Sequence, residues 1–209
     1  YYISAETKDQ ALASPHLEGF KSKKIPVLIM TDAIDQFWLP MVGSFKEKKF
    51  TSITQGQINL DDLDEKNKDK KKDDKNEKEK KDKEYVDLVA QLKVVLGDQV
   101  KDIRLSSKLT DSPVCLVADE GDMDIAMEQL MAQRDTNYKG APRILEINGD
   151  HSLIKNMKSL LSKKENNDLV SDAGTLLFEQ ARLMEGKMPA DPAQFSKIMN
   201  QFLLKAIPN

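Results

Sequence analysis

"VKDIRLSSKLTDSPVCLV", residues 100 to 117, carries the pattern on which the fold turns. Val100, Ile103 and Leu105 alternate imperfectly with polar residues, as on a half-buried strand, and "PVCLVA" is an apolar run of strand length. "SKLTDSP" between them supplies the serine, aspartate and proline of a turn. Outward toward the C-terminus, "APRILEING" reads as a further strand. Outward toward the N-terminus, "YVDLVAQLKVVLG" places Val86, Val89, Leu92, Val95 and Leu96 on one helical stripe, with Gly97 as its stop. The expected class is α+β.

Further upstream the element types alternate on a smaller scale. "YYISA" reads as a strand, "TKDQALASPHLEGFKSK" as helix interrupted near Pro15, and "IPVLIM" as a buried strand. "DAIDQFWLPMVGSF" has Ile34, Phe37, Trp38 and Met41 at helical spacing, and "KKFTSIT" is a strand candidate. Pro40 lacks the amide donor and crowds the preceding turn, so it either kinks this helix or ends it at Leu39. Residues 1–58 therefore read as a small α/β unit. Asp61 to Glu84 holds Leu63 as its one apolar side chain and cannot bury a core face, so 59–84 reads as a charged linker or exposed helix start. Residues 85–209 form the second, mixed unit.

The end of the chain is helical: "HSLIKNMKSLLSK", "NDLVSDAGTLLFEQARLMEG" and "DPAQFSKIMNQFLLKA". Asp191 before Pro192 is a helix-start signal, and the short connection through Gly186 and Pro189 favours an antiparallel hairpin. Its apolar residues are Leu176, Leu177, Phe178, Ala181, Leu183 and Met184 on one helix and Phe195, Ile198, Met199, Phe202, Leu203 and Ile207 on the other. That is more than one seam needs, so a two-fold mate completing a four-helix bundle is expected.

Composition narrows the function. Of 209 residues 32% are charged, yet the net charge is only −3, so no one-signed field toward nucleic acid or an anionic membrane arises. No apolar run approaches the roughly 18 to 20 residues of a membrane span. The single cysteine, Cys115, excludes an internal disulfide and fits a reducing, cytoplasmic compartment. His16 and His151 lack helical metal-ligand partners, and no phosphate-binding "GKS" or "GKT" is present, so neither metal nor catalysis is expected. The opening "YYISAETKDQ" has no initiator methionine and reads as an excised fragment.

"GDMDIAMEQLMAQ", residues 121 to 133, spaces Met123, Met127 and Met131 four apart with Leu130 beside the last. Spacing alone leaves two readings: a core stripe, or a flexible apolar face held out for a partner. Asp122, Asp124, Glu128 and Gln129 are expected to keep the rest of that helix wet.

The stretch 100–117 resembles the C-terminal domain of the heat-shock protein 90 chaperone family. "YYISAE…SPHLEGF" with "PVLIMTDAIDQFW" resembles the last subdomain of that family's middle domain, and "MDIAMEQLM", "LEINGDH" and "LLFEQARLMEG…DP" resemble successive C-terminal blocks. These blocks stand in family order over nearly the whole chain apart from the charged run. The bacterial branch, high-temperature protein G, is the nearest likeness, since the chain ends "LLKAIPN" without the acidic tail of cytosolic eukaryotic members.

The resemblance implies a stress-response chaperone that is an ATP-driven homodimer, with ATP and magnesium bound in a part of the parent outside this chain. It implies as partners a second copy, partly folded client proteins and other chaperones. Client contact would fall on Met123, Met127, Leu130 and Met131, and on Gln36, Phe37 and Pro40 with Trp38 adjacent. The alternative is a purely structural dimerisation module with the methionines in its core. The chain departs from the family's usual serine or threonine at Asp124 and usual proline at Gly149.

Overall fold

The computed structural model describes residues 1–60, 79–135, 138 and 140–207. The charged run from 61 to 78 therefore lies outside the described residues. The mixed α+β class is observed, with two hydrophobic cores joined by a polar seam.

In the first lobe β1 (Tyr2–Ser4) pairs in parallel with β2 (Leu28–Met30). The crossover is α1 (Lys8–Leu12), a 3-10 turn at Pro15–Leu17 and α2 (Glu18–Ser22). The break at Pro15 has a local cause: the Ser14 hydroxyl accepts the His16 N–H and starts a new turn with proline in its first position. Ile3, Ala11, Leu17, Phe20, Ile53 and Leu60 fill this core. "IPVLIM" is less buried than its composition predicts, because β2 edges a two-stranded sheet and Leu28 faces outward.

The next helix, α3 (Asp35–Val42), keeps Pro40 inside it and runs on to Val42. Proline can cost this short helix only the bond to the Gln36 carbonyl, and Gly43, at φ +65°, closes the end by donating to the Leu39 carbonyl. The strand candidate "KKFTSIT" is split. β4 (Lys48–Lys49) pairs with β3 (Ser44–Phe45) in an exposed hairpin, whereas Ser52 bridges to Tyr2.

The second lobe begins with helical residues 79–84 leading into α4 (Val86–Leu96). A three-stranded sheet follows in the order β5 (Val100–Leu105), β7 (Arg143–Ile147), β6 (Val114–Val117). β7 is parallel to β5 and antiparallel to β6, so it is central and buried along its length. Between β6 and β7 lies α5 (Ile125–Arg134); after β7 come α6 (Ser152–Leu160), α7 (Asn167–Met184) and α8 (Pro192–Ala206).

The α4 stripe is rotated from the expected one. Tyr85, Leu88, Leu92 and Leu96 face the core, Val89 and Val95 flank them, and Val86 is exposed. Gly174 of α7 is a physical reason: a Cβ there would stand 2.3 Å from Leu92 Cδ2, so the two helices close on the leucine line. Gly97, at φ +50°, ends α4 as predicted. His151 starts α6 by accepting the Leu153 N–H at Nδ1, and Asp191 starts α8 by accepting from Ala193 and Gln194.

Polar contacts join the lobes. The Glu18 carboxylate accepts the backbone N–H groups of Thr110, Asp111 and Ser112, together with the Ser112 hydroxyl. Burial alone would raise its pKa, but the Ser112 hydroxyl and these amides hold it below the ordinary value. Lys108 is fully buried, donates to the Ile53 carbonyl at 2.8 Å and lies 3.9 Å from Glu146. Arg104 bridges Glu146 and the Gly56 carbonyl.

Candidate protein-binding surfaces

α5 is fixed at three points. At its start Asp124 accepts the Ala126 N–H with Oδ1, and Oδ2 accepts from the Ser52 and Thr54 hydroxyls at 2.5 and 2.8 Å. One carboxylate thus caps the helix and ties it to the first lobe. Mid-helix, Glu128 is 2% exposed. It lies 2.9 Å from Arg143 Nη2 and 3.2 Å from Lys187 Nζ, and accepts the Ala141 N–H. Farther along, Gln129 donates to the Glu185 carbonyl and Gln133 to Glu6.

These contacts correct the expectation of a wet polar face. Glu128 is buried, while Asp122, Asp124 and Gln129 are half-buried and engaged. Glu128 can sit inside because β7 begins at Arg143, also buried, whose charge compensates it. The helix buries Ile125 and Glu128 and turns Met127, Leu130 and Met131 to its flank, where each is half-buried. Met123 precedes the helix and is exposed. None of the four belongs to, or packs against, a core cluster among the described residues.

On α3, Gln36, Phe37 and Trp38 are half-buried, Leu39 is buried and Pro40 is exposed. The Trp38 indole donates to Asp35 at 2.7 Å and its ring meets Phe50 edge-on at 5.9 Å. Of the residues at helical spacing, Ile34 is 64% and Met41 86% exposed. Val42 and Phe45 extend this apolar surface. Spacing alone does not give this exposure, because a solvent-facing apolar stripe and a core-facing one have the same period.

The structure brings the two candidate surfaces together. A groove of about 310 Å³ runs between α5 and the approach to α3, with Gln36 on one wall and Ala126 and Leu130 on the other. Phe37, Trp38, Pro40 and the three methionines do not line it.

The terminal hairpin divides unevenly. Leu177, Phe178, Ala181 and Ile198, expected on an intermolecular seam, are buried in the chain's own interior. Leu177, Phe178 and Ala181 are turned from that seam because α7 packs them into the core with the sheet and α4, and Ile198 is buried on α8. Leu176, Phe195 and Phe202 are half-buried, whereas Leu183, Met184, Met199, Leu203 and Ile207 are exposed. Two further exposed residues were not anticipated, Met188 and Leu204, the latter 76% exposed.

Cys115 is buried, and burial, followed by the nearby Glu146 carboxylate, pushes its thiol pKa far up, so it is a poor nucleophile. Among the described residues no cluster of His, Cys, Asp and Glu is gathered for a metal ion, and no helix is long and apolar enough to cross a membrane.

A family model described as "Hsp90 protein" matches residues 1–208. The chaperone protein HtpG of Roseobacter denitrificans is 41% identical over 209 residues, covering 99% of this chain and 33% of that protein. HtpG of Wolbachia pipientis wMel is 38% identical, covering 98% and 32%, and HtpG of Streptomyces coelicolor is 35% identical, covering 95% and 30%. The chain spans about a third of the length of these relatives.

Proposed function

The chain belongs to the Hsp90 protein family, and from that premise we propose that it is the client-contacting and self-pairing segment of an ATP-driven chaperone. Residues 1–58 would be the end of the parent's middle domain and 85–209 its dimerisation domain. ATP and magnesium would bind elsewhere in the parent, and this segment would carry no turnover of its own in the cytoplasm.

The observation that carries the reading is the groove shared by Gln36 and Leu130. Two sequence-distant segments expected to touch client protein there become the walls of one concave surface. Met123, on the approach to α5, is exposed, Met127 and Met131 on that helix are half-buried, and Ile34, Met41 and Phe45, on or beside α3, are exposed. Methionine suits this use because a flexible thioether repacks against many apolar shapes. The half-burial of Met127, Leu130 and Met131 favours the competing reading, in which the helix is a structural element only.

A holding assay separates the two. The chain is mixed with a heat-unfolding reporter enzyme and light scattering follows its aggregation. Leu130→Asp combined with Met127→Asp should abolish protection while leaving the circular dichroism spectrum unchanged. Undiminished protection by that folded variant would exclude α5 as a client surface.

For self-pairing, Leu183, Met184, Met199, Leu203 and Leu204 supply an exposed apolar face across the ends of α7 and α8. A second copy related by a two-fold axis would bury that face in a four-helix bundle, and stable interfaces bury above about 1,000 Å² in total. Light scattering across a micromolar dilution series should give the mass of two chains.

A further inference from the structure

Two neighbouring cavities adjoin the groove, the outer one sharing Glu6, Gln129 and Gln133 with it. An inner chamber of about 60 Å³ sits where β1 and the 3-10 turn meet β6 and the end of α7, walled in part by Ser4, His16, Cys115 and Glu185. It shares Gln10, Leu116, Gln129 and Glu185 with an outer cavity of about 670 Å³, where Glu128, Arg143 and Lys187 are found.

Three side chains on the inner wall hold buried polar atoms without a hydrogen-bond partner: Ser4 Oγ, His16 Nδ1 and both carboxylate oxygens of Glu185. Most buried polar groups in native interiors are hydrogen-bonded, so three such side chains on one small wall call for an explanation. Their chemistry agrees. Burial, then the Lys108 ammonium, holds His16 neutral, and its ring donates to the Leu116 carbonyl, so the unpartnered Nδ1 is an acceptor. Glu185 accepts, and the serine oxygen can accept. The chamber therefore presents acceptors from three elements and asks for a group with several donors.

The outer cavity is lined by Glu6, Glu128 and Glu185 and by Arg143, Arg182 and Lys187. Lys187 is divided between Glu128 and Glu185, 3.2 Å from each, so among the described residues Glu185 has a share in one cation only.

We propose that the two cavities form a binding site for a primary alkylammonium ion, its head donating to Glu185, His16 Nδ1 and Ser4 Oγ and its chain lying in the outer cavity. A primary ammonium offers three N–H donors to these three acceptor groups. A water's share of liquid volume is about 30 Å³, so the chamber has room for a head of that size and the first methylene. A quaternary ammonium has no donor to offer. The site does not rest on the client-contacting reading, although it shares Gln129 with the groove and Met184 with the terminal apolar face.

Binding is linked to protons. Burial raises the Glu185 pKa against the opposing pull of Lys187 and Arg143, with Glu128 adding to the rise. His16 and Cys115 face the same chamber, Arg182 lines the outer cavity, and Glu179 pairs with Arg182. The cation and the carboxyl proton therefore compete, and affinity rises with pH.

The test is titration calorimetry of the chain with n-butylammonium in two buffers of different ionisation heat. The expected result is one site per chain with proton release, and an affinity lowered about tenfold or more by Glu185→Gln, since a charge-assisted bond is lost. Ser4→Ala, which removes one acceptor without altering charge, should weaken binding while preserving the thermal transition. Absence of binding would mean that the chamber holds solvent only and would overturn the proposal. So would equal binding of tetramethylammonium or potassium, or an affinity untouched by Ser4→Ala or by Glu185→Gln.

Discussion

Replacing Glu128 with alanine should be among the most damaging single changes on the α5 surface, although the residue reads from sequence as a solvated helix position. Its carboxylate is 2% exposed and serves Arg143, Lys187 and the Ala141 N–H. Arg143 is itself buried, and its guanidinium is otherwise anchored by the Met123 carbonyl. Removing the carboxylate strands that cation, which costs about 3 to 5 kcal/mol. For a chain of this length each kcal/mol moves the midpoint about 2 to 4 °C, so a fall of about 6 to 20 °C is expected. Thermal and urea unfolding followed by circular dichroism give the number. The double replacement Glu128→Met with Arg143→Met should recover most of the loss, because neither charge is then left alone. A loss below about 1 kcal/mol for Glu128→Ala, the range of an ordinary surface change, would refute the reasoning by showing that water reaches the pair.

Acid should loosen the joint between the lobes. The Glu18 pKa is depressed in the fold, so its stabilising contribution is present above the unfolded value of about 4.3 and disappears as pH falls through the lower folded value. Glu18→Gln should flatten stability against pH across that window, and an unchanged slope would exclude Glu18 as its source. Gly174→Ala should cost about 1 to 3 kcal/mol by overpacking, since the new methyl meets Leu92; adding Leu92→Ala should make the methyl harmless, as urea midpoints would record. Leu204→Asp should yield a folded monomer by light scattering, whereas Leu177→Asp, aimed at a core position, should lose its near-ultraviolet circular dichroism signal.

Element types were largely legible because the local chemistry that sets them is close in sequence. Asp191 with Pro192, Gly97 and the His151 turn each declare a helix end through neighbours a few residues away. Burial was harder to read wherever it depended on a distant partner. Glu128 is inside because of Arg143 and Lys187, and α4 turns its leucine line inward opposite Gly174, none of which is adjacent in the chain. The terminal hairpin shows the same limit. Leu177 and Leu183 look equivalent in "LLFEQARL", and only the sheet beneath the first of them makes one a core residue and the other a surface one. On α3 the spacing marked the helix and left its exposure open, and Met41 is 86% exposed.

Glu18 grips the peptide groups of Thr110 and Asp111 and leaves their side chains unread. Mutational tolerance at the joint should therefore be lopsided. Most side-chain exchanges at 110 and 111 would pass unnoticed, while a proline there, which deletes an amide, or a one-residue insertion, which shifts all of them, would pull the lobes out of register. Lineages of this chain are free to drift in the letters of the loop and are held to its length.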